Sequence, residues 1–387
     1  MKLEGVRVLD LSMFLPGPHL TMMMADHGAD VIRIEPPGEG EPNRHIGHKK
    51  TGDDETVYFR NTHRGKRSIT LDLKNPQAQE LFLKLTEDAH VVVESYRPGV
   101  AKRLGIDYAA VRARSPHIVY CSISAFGQEG PLANRVAHDI AVEAQAGIAS
   151  LNLGHDNKPT LPSIALADMS ASLMSLSAIL MALYRARETG QGDYCDMAMY
   201  DTLMAWTPNI TSRVFAEGKS PDPKNERTWG GNAMYQLYET RDGRWLAIGG
   251  SEPKFARNLM TALKREDLIA SCVGEPGPTQ EPAKVFLRDT FKAQPLAHWE
   301  TWLDGMDVCW APVNSLKQGF DHPHTAARQM LLFDDKGNEH IGVPMKFINE
   351  PARPTLVTPG LGEHNRQISE NLGFDFASLD AKGVFGN

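Results

Sequence analysis

The sequence has no C-x-x-C pair, and its four cysteines, Cys121, Cys195, Cys272 and Cys309, lie far apart without metal-ligand spacing. That excludes a zinc scaffold or a disulfide framework and fits reduced thiols in a cytoplasmic protein, with no metal expected. No run of eighteen apolar residues occurs. The closest, Ala171 to Tyr184, is interrupted by Ser172, Ser175 and Ser177, so no membrane span is expected. The opening MKLEGVRVLDLS carries charge where a signal peptide needs an apolar core, and it reads as a first strand. The turn after that strand, Ser12 to Pro18, lacks G-x-G-x-x-G spacing, and no Walker lysine motif follows, which excludes a dinucleotide cofactor and a P-loop. Positive charge is not in excess either. A net charge of −7 speaks against a nucleic-acid surface spread over the molecule, so an anionic ligand must find a local patch.

What is present is an ordinary globular composition, 41% hydrophobic and 23% charged, over 387 residues, enough for two domains or one with a large insertion. Val6 to Leu11 is a short apolar run; a Pro/Gly turn, a helical segment and a second apolar run, Asp30 to Ile34, follow it. The alternation continues through Ser68 to Leu73, a helix from Asn75, Val91 to Val93, a helix from Tyr108 and the strand Ile118 to Ile123. Such a pattern predicts a mostly parallel sheet with helices on both faces, an α/β fold. A long helix is expected from Met169 to Arg187, ended by Gly190-Gln191-Gly192. The polar, turn-rich stretch 216–231 reads as a linker, and 232–314 as a small α+β domain whose hairpin turns at Arg241-Asp242-Gly243. A second linker is expected over 315–330, then a hairpin around Asp335 to Asn338 and a last helix from Glu363 to Leu372.

The chemistry concentrates between Val136 and Met169, which holds the His138-Asp139 pair and Asp168. Both aspartates stand where a helix begins, so free N–H groups and the positive helix end lie beside them. Each is either a plain N-cap, worth about 1 kcal/mol, or a reactive group in an anion-stabilising setting. Basic residues gather at the strand ends: Arg64, Lys66, Arg67 and Lys74 by the third strand, and Arg97, Lys102 and Arg103 after the fourth. They form either a solvated positive face or a seat for a phosphorylated carrier. Sixteen methionines, several near this stretch, fit adaptable packing.

A set of short segments, in order along nearly the whole chain, resembles the family III CoA-transferases, which include formyl-CoA transferase and the α-methylacyl-CoA racemases. They are Leu3 to Asp10, Gly28 to Glu35, Arg64 to Ile69, Leu71 to Lys74, Ala167-Asp168-Met169, Thr189 to Gly192 and Gly362 to Asn365. The resemblance implies a large nucleotide-binding-type domain from both ends of the chain, 1–215 and 331–387, and a homodimer of interlocked subunits. It implies acyl-CoA thioesters as substrates, with coenzyme A part of the substrate and no tightly bound cofactor. It seats CoA on Leu71, Asp72, Leu73 and Lys74, on Ser95, Tyr96, Arg97 and Arg103, and on Ala137 and Asp139. Pro36 stands where many relatives carry an arginine.

The resemblance leaves two reactions. In transferases Asp168 resembles the carboxylate that attacks the thioester and holds the acyl group as a mixed anhydride. In racemases two groups must straddle the α-carbon to take and return a proton. His138 and Asp168 would be that pair, with Glu252, in Ser251-Glu252-Pro253, orienting the imidazole. The motif reading places racemisation of 2-methylacyl-CoA first, CoA transfer second, and a non-catalytic CoA-ester-binding module third.

Overall fold

A computed structural model describes residues 1–154 and 156–386; Asn387, the last residue of the expected return segment, lies outside them. The chain divides into two units, one of Met1–Ala149, Leu161–Trp206 and the part from Pro323 on, the other of Ser150–Thr160 and Thr207–His322.

The first unit alternates as the apolar pattern requires: β1 (Arg7–Leu11), α1 (Pro16–Asp26), β2 (Asp30–Glu35), α2 (Val57–His63), β3 (Arg67–Thr70), α3 (Pro76–Thr86) and β4 (Val91–Glu94). Then come α4 (Val100–Arg103), α5 (Tyr108–Arg114), β5 (Val119–Ser124), α6 (Asp139–Gln145), α7 (Leu166–Thr189), β6 (Tyr194–Ala198) and α8 (Met199–Ala205). All six strands are parallel, in the order β3-β2-β1-β4-β5-β6. Because β1, β2 and β3 run outward one way and β4, β5 and β6 the other, the loops after β1 and β4 diverge, and a crevice opens between them at the carboxyl ends. The strands read as near-continuous apolar runs because both faces are covered. Leu9, Ile32 and Val92 face one core with α3, and Val8, Val31, Val91 and Val119 face the other with α1 and α7.

The helix signals act locally. Asn75 caps α3 by accepting from Gln77 N–H, and Pro76 follows at the first helical position. Gly190 ends α7 in the left-handed conformation, φ 68°. By length and composition α7 is apolar enough to cross a bilayer. One side is buried, with Ala171, Ser172, Ser175, Ile179 and Leu183 in the core, while Leu173, Leu180, Met181 and Tyr184 are exposed. Leu176 lies on the buried side as well.

The second unit holds α9 (Ser212–Glu217), the antiparallel strands β7 (Tyr235–Glu239), β8 (Trp245–Gly249) and β9 (Trp310–Pro312), and helices α10 (Pro253–Ala262), α11 (Ile269–Val273), α12 (Glu281–Lys292), α13 (Leu296–Leu303) and α14 (Leu316–Asp321). The β7–β8 hairpin turns at Gly243, and its own core is built on Met234, Leu246, Leu259, Leu287 and Trp299.

The chain then re-enters the first unit with α15 (Pro323–Ala327), the hairpin β10 (Leu331–Phe333) and β11 (Glu339–Ile341), α16 (Asn365–Asn371) and α17 (Phe376–Ala381). The last helix expected, Glu363 to Leu372, is α16, and α17 follows it without a periodic signal of its own. Ile368, Leu379, Val384 and Phe385 join the core beside β3, where Thr70 Oγ1 donates to Phe385 O and Asp72 N–H to Val384 O.

Candidate active site

At the mouth of the crevice lies a cavity of about 480 Å³. The turn after β1 supplies Met13, Phe14 and Pro16, and the loop after β4 supplies Ser95, Tyr96 and Arg97. The ends of β5 and the approach to α6 supply Ile123, Ala137 and His138, with Asp168 and Met199 completing it.

The β1 turn is held by buried charge. Asp10 accepts from Thr21 Oγ1 at 2.7 Å, Lys66 Nζ at 3.0 Å and Arg33 at 3.1 Å. Burial alone would raise the Asp10 carboxyl, but Lys66 and Arg33, helped by the Ser12 and Thr21 hydroxyls, hold it well below the usual carboxylate range. Burial also pulls Lys66 down to about 8. Arg33 pairs in addition with Glu41, and Glu41 accepts the Phe14 N–H at 2.8 Å. Asn43 donates to the Phe14 carbonyl, so Phe14 sits at φ 64°, a conformation costly for a bulky residue. A Cβ at Gly17 would stand 2.1 Å from that of Ser12, so only glycine lets α1 start this close to the turn. The Phe14 ring meets His138 edge to face, with centroids 5.5 Å apart.

Neither aspartate caps its own helix. Asp139 is the first residue of α6, and its Oδ1 crosses to α7, accepting from Ala167 N–H at 2.8 Å and Asp168 N–H at 3.1 Å. Asp168 is the third residue of α7, and no hydrogen bond to its carboxylate is made among the described residues. Burial, then the Asp139 charge, push it up to about 7. Burial, then the Asp168 charge, push the Tyr58 phenol on α2 up to about 12, which marks Tyr58 as a neighbour.

The two basic clusters separate. Arg64 pairs with Asp26, Lys66 with Asp10 and Arg67 with Asp30, so the group at the third strand is largely neutralised, with Arg64 and Lys66 buried. Lys74, Arg97, Lys102 and Arg103 form no ion pair among the described residues and are exposed. Glu35, beside Pro36, is buried and held by Arg44 at 2.7 Å.

Of the expected residues, the cavity gathers Ser95, Tyr96, Arg97, Ala137, His138 and Asp168. Leu71, Asp72, Leu73 and Lys74 follow β3 outside the cavity lining. Leu71 and Leu73 are buried in the core and Lys74 is exposed. Arg103 lies on α4, and Glu252 is exposed in the second unit at the start of α10. Sequence reasoning missed Phe14, Tyr58 and Glu143, the last a fully buried carboxyl on α6. Its spacing of four from Asp139 was the available signal. Among the described residues, no group of three or more His, Cys, Asp and Glu side chains is placed to hold a metal ion.

Open α/β sheets bind ligands in the crevice at their switch point, and here a carboxylate unpaired among the described residues, Asp168, stands at a helix start within it. The chain belongs to CoA-transferase family III, whose pattern it matches over residues 3–365, and it is an enzyme of that family. It is similar to the succinate–glutarate CoA-transferase of Agrobacterium fabrum, at 32% identity over 96% of this chain and 95% of that one. Similar too are the succinyl-CoA:glutarate CoA-transferase of Mus musculus (30%; 98% and 88%) and the human α-methylacyl-CoA racemase (30%; 97% and 94%). Among solved structures, a CAIB/BAIF family protein from Brucella suis superposes with a TM-score of 0.82, at 29% identity, covering 96% of this chain and 99% of its own.

Proposed function

We propose that this enzyme transfers coenzyme A between carboxylic acids through Asp168. The observation that carries the reading is the Asp168 carboxylate, free of hydrogen bonds at the start of α7 and facing the cavity. It attacks the carbonyl of an acyl-CoA thioester, the C–S bond breaks, and CoA leaves as thiolate while the acyl group stays on Asp168 as a mixed anhydride. The thiolate then adds to the Asp168 carbonyl and expels the donor acid. An acceptor carboxylate runs the same two steps in reverse and frees Asp168, so no redox partner or net proton is required. Amides at the start of α6 are suited to the oxyanion, one such donor being worth ~10²–10³ in rate. The unpaired Arg97, Arg103 and Lys74 are assigned to CoA phosphates, with Ser95, Tyr96, Ala137 and the Leu71–Leu73 backbone flanking the carrier. Two of the relatives named above act between succinate and glutarate, so succinyl-CoA with glutarate is the first pair to test.

Racemisation, placed first by motif, becomes the second reading. It is kept because His138 and Asp168 line the same cavity, as a two-base reaction requires; Glu252 would orient the imidazole. We also propose a homodimer, interlocked as in the resemblance, because Leu173, Met174, Leu180, Met181 and Tyr184 leave an apolar face on α7 exposed. A cytoplasmic setting suits the four free thiols.

The readings part in one experiment. Transfer predicts succinyl-CoA consumption only with an added acid, a hydroxylamine-trapped acyl group at Asp168, and survival of exchange in His138→Ala. Deuterium uptake at C2 of a single 2-methylacyl-CoA enantiomer in D₂O, without an acceptor acid and abolished by His138→Ala, would overturn it in favour of racemisation.

A further inference from the structure

We propose that Glu143 is a positioning residue for Asp168: with Asp139 it forms a two-carboxyl clasp on the first turn of α7 and so fixes where the Asp168 carboxylate stands. This rests on Asp168 being the reacting carboxylate.

The first three amides of α7, Leu166, Ala167 and Asp168, precede the first intrahelical bond, which runs from Met169 N–H to Ala165 O. The N-cap, Ala165, has no side-chain acceptor to offer them. All three are satisfied from α6 instead: Asp139 Oδ1 takes Ala167 and Asp168, and Glu143 Oε1 takes Leu166 at 3.3 Å. Four residues apart, Asp139 and Glu143 share one helix face, so both carboxyls reach the same turn. Glu143 is fully buried, and among the described residues no N–H or O–H donates to its Oε2.

Two ionised carboxylates side by side, one fully buried, would repel, and a proton on Glu143 removes that conflict. Burial, then the hydrogen bond and charge of Asp139, push Glu143 up to about 7, with the Asp168 charge adding to this. The other helix against α6 is α8. Its titratable residues are Tyr200, whose ring packs on Phe126, and the exposed Asp201. Asp139 and Asp168 are therefore the charges that act on Glu143. A protonated Glu143 removes a like charge from beside the Asp139 carboxyl, whose Oδ1 accepts from both Ala167 and Asp168.

The test compares Glu143→Gln, which keeps an oxygen for Leu166 and an N–H for Asp139 but cannot titrate, with Glu143→Leu, which keeps bulk and loses both. With succinyl-CoA and glutarate as probe, Glu143→Gln should hold plateau kcat within ~3-fold, and its acid limb should become a one-proton transition at least ~0.5 pH unit lower. Glu143→Leu should lose at least ~10-fold in kcat with KM changed less than ~3-fold. Infrared difference spectra between pH 5 and pH 8, which need no turnover, should lose one protonated-carboxyl band in Glu143→Gln. Native kcat in Glu143→Leu, or a Glu143→Gln spectrum identical to wild type, overturns the proposal. Asp168→Asn serves as control. Turnover in that variant sinks the reading of Asp168 itself, whereas an inactive Asp168→Asn beside wild-type-like Glu143 variants removes only the clasp.

Discussion

Two groups of basic residues stand beside β3 and β4 of one sheet, alike in sequence and opposite in fate. At β3, Arg64 and Lys66 are sealed inside against Asp26 and Asp10, and Lys66 and Arg33 together hold the turn after β1. Past β4, Arg97, Lys102 and Arg103 are exposed and form no ion pair among the described residues. The same contrast divides the acids: Asp10 accepts from four charged or hydroxyl side chains, Ser12, Thr21, Arg33 and Lys66, whereas the Asp168 carboxylate accepts from none among the described residues. Charge the fold has paired builds the crevice, and charge it has left unpaired is available to a ligand. Buried paired charge does so without being a reliable source of net stability, since desolvation offsets much of the attraction.

The comparison can be broken most sharply at the acids. Asp168→Ala should lower kcat for CoA exchange by ~10³-fold or more while KM for succinyl-CoA changes little, because the lost interaction belongs to the transition state. The same substitution should raise the melting temperature. A carboxyl pushed up in the folded state makes folding less favourable as pH rises from its unfolded value, near 4, toward 7. An active or destabilised variant at neutral pH would contradict the assignment of Asp168 as unpaired and functional.

Lys66→Met is the converse. It leaves Asp10 buried with Arg33 as its remaining cation, so denaturant unfolding should show a loss of about 3–5 kcal/mol, while the folded fraction still binds CoA esters with native affinity. Unchanged stability would show that the β3 group is not structural. Arg103→Ala should reverse the pattern. CoA-ester affinity should fall ~10-fold, about 1.4 kcal/mol, with a weaker dependence on salt by calorimetry and stability within ~0.5 kcal/mol of wild type. Smallest is the pH effect. With Asp168 near 7 and needed as carboxylate, kcat/KM rises with pH, and at pH 6.5 should be ~4-fold below its value at pH 8. A profile flat from pH 6 to 8 would mean the carboxylate is already ionised.

The sheet was legible because its signals are local: apolar runs, Asn75 and Pro76 opening α3, Gly190 closing α7, Asp242-Gly243 in the hairpin. The site was legible as a segment, since His138, Asp139 and Asp168 carry reactive groups at helix starts. Their roles toward one another were not, because Asp139 satisfies amides on a different helix, 28 and 29 positions away. Nor does any residue pattern announce that Lys66 meets Asp10 across 56 positions, or that Glu41 and Asn43 hold Phe14 at positive φ. Likewise α17 has no periodic signal of its own and is defined by the core it closes.

That closure has a consequence in time. Thr70 waits for the carbonyl of Phe385, 315 positions later, and the apolar pocket beside β3 is sealed only when Leu379, Val384 and Phe385 arrive. At roughly 5–20 residues per second, translation takes about 15–60 s to bridge that gap. Through that interval the nascent chain carries most of its sheet with one flank uncovered. A product stopped short of these residues thus displays its own incompleteness as exposed hydrocarbon, a mark that chaperones and proteases can read without recognising any particular sequence.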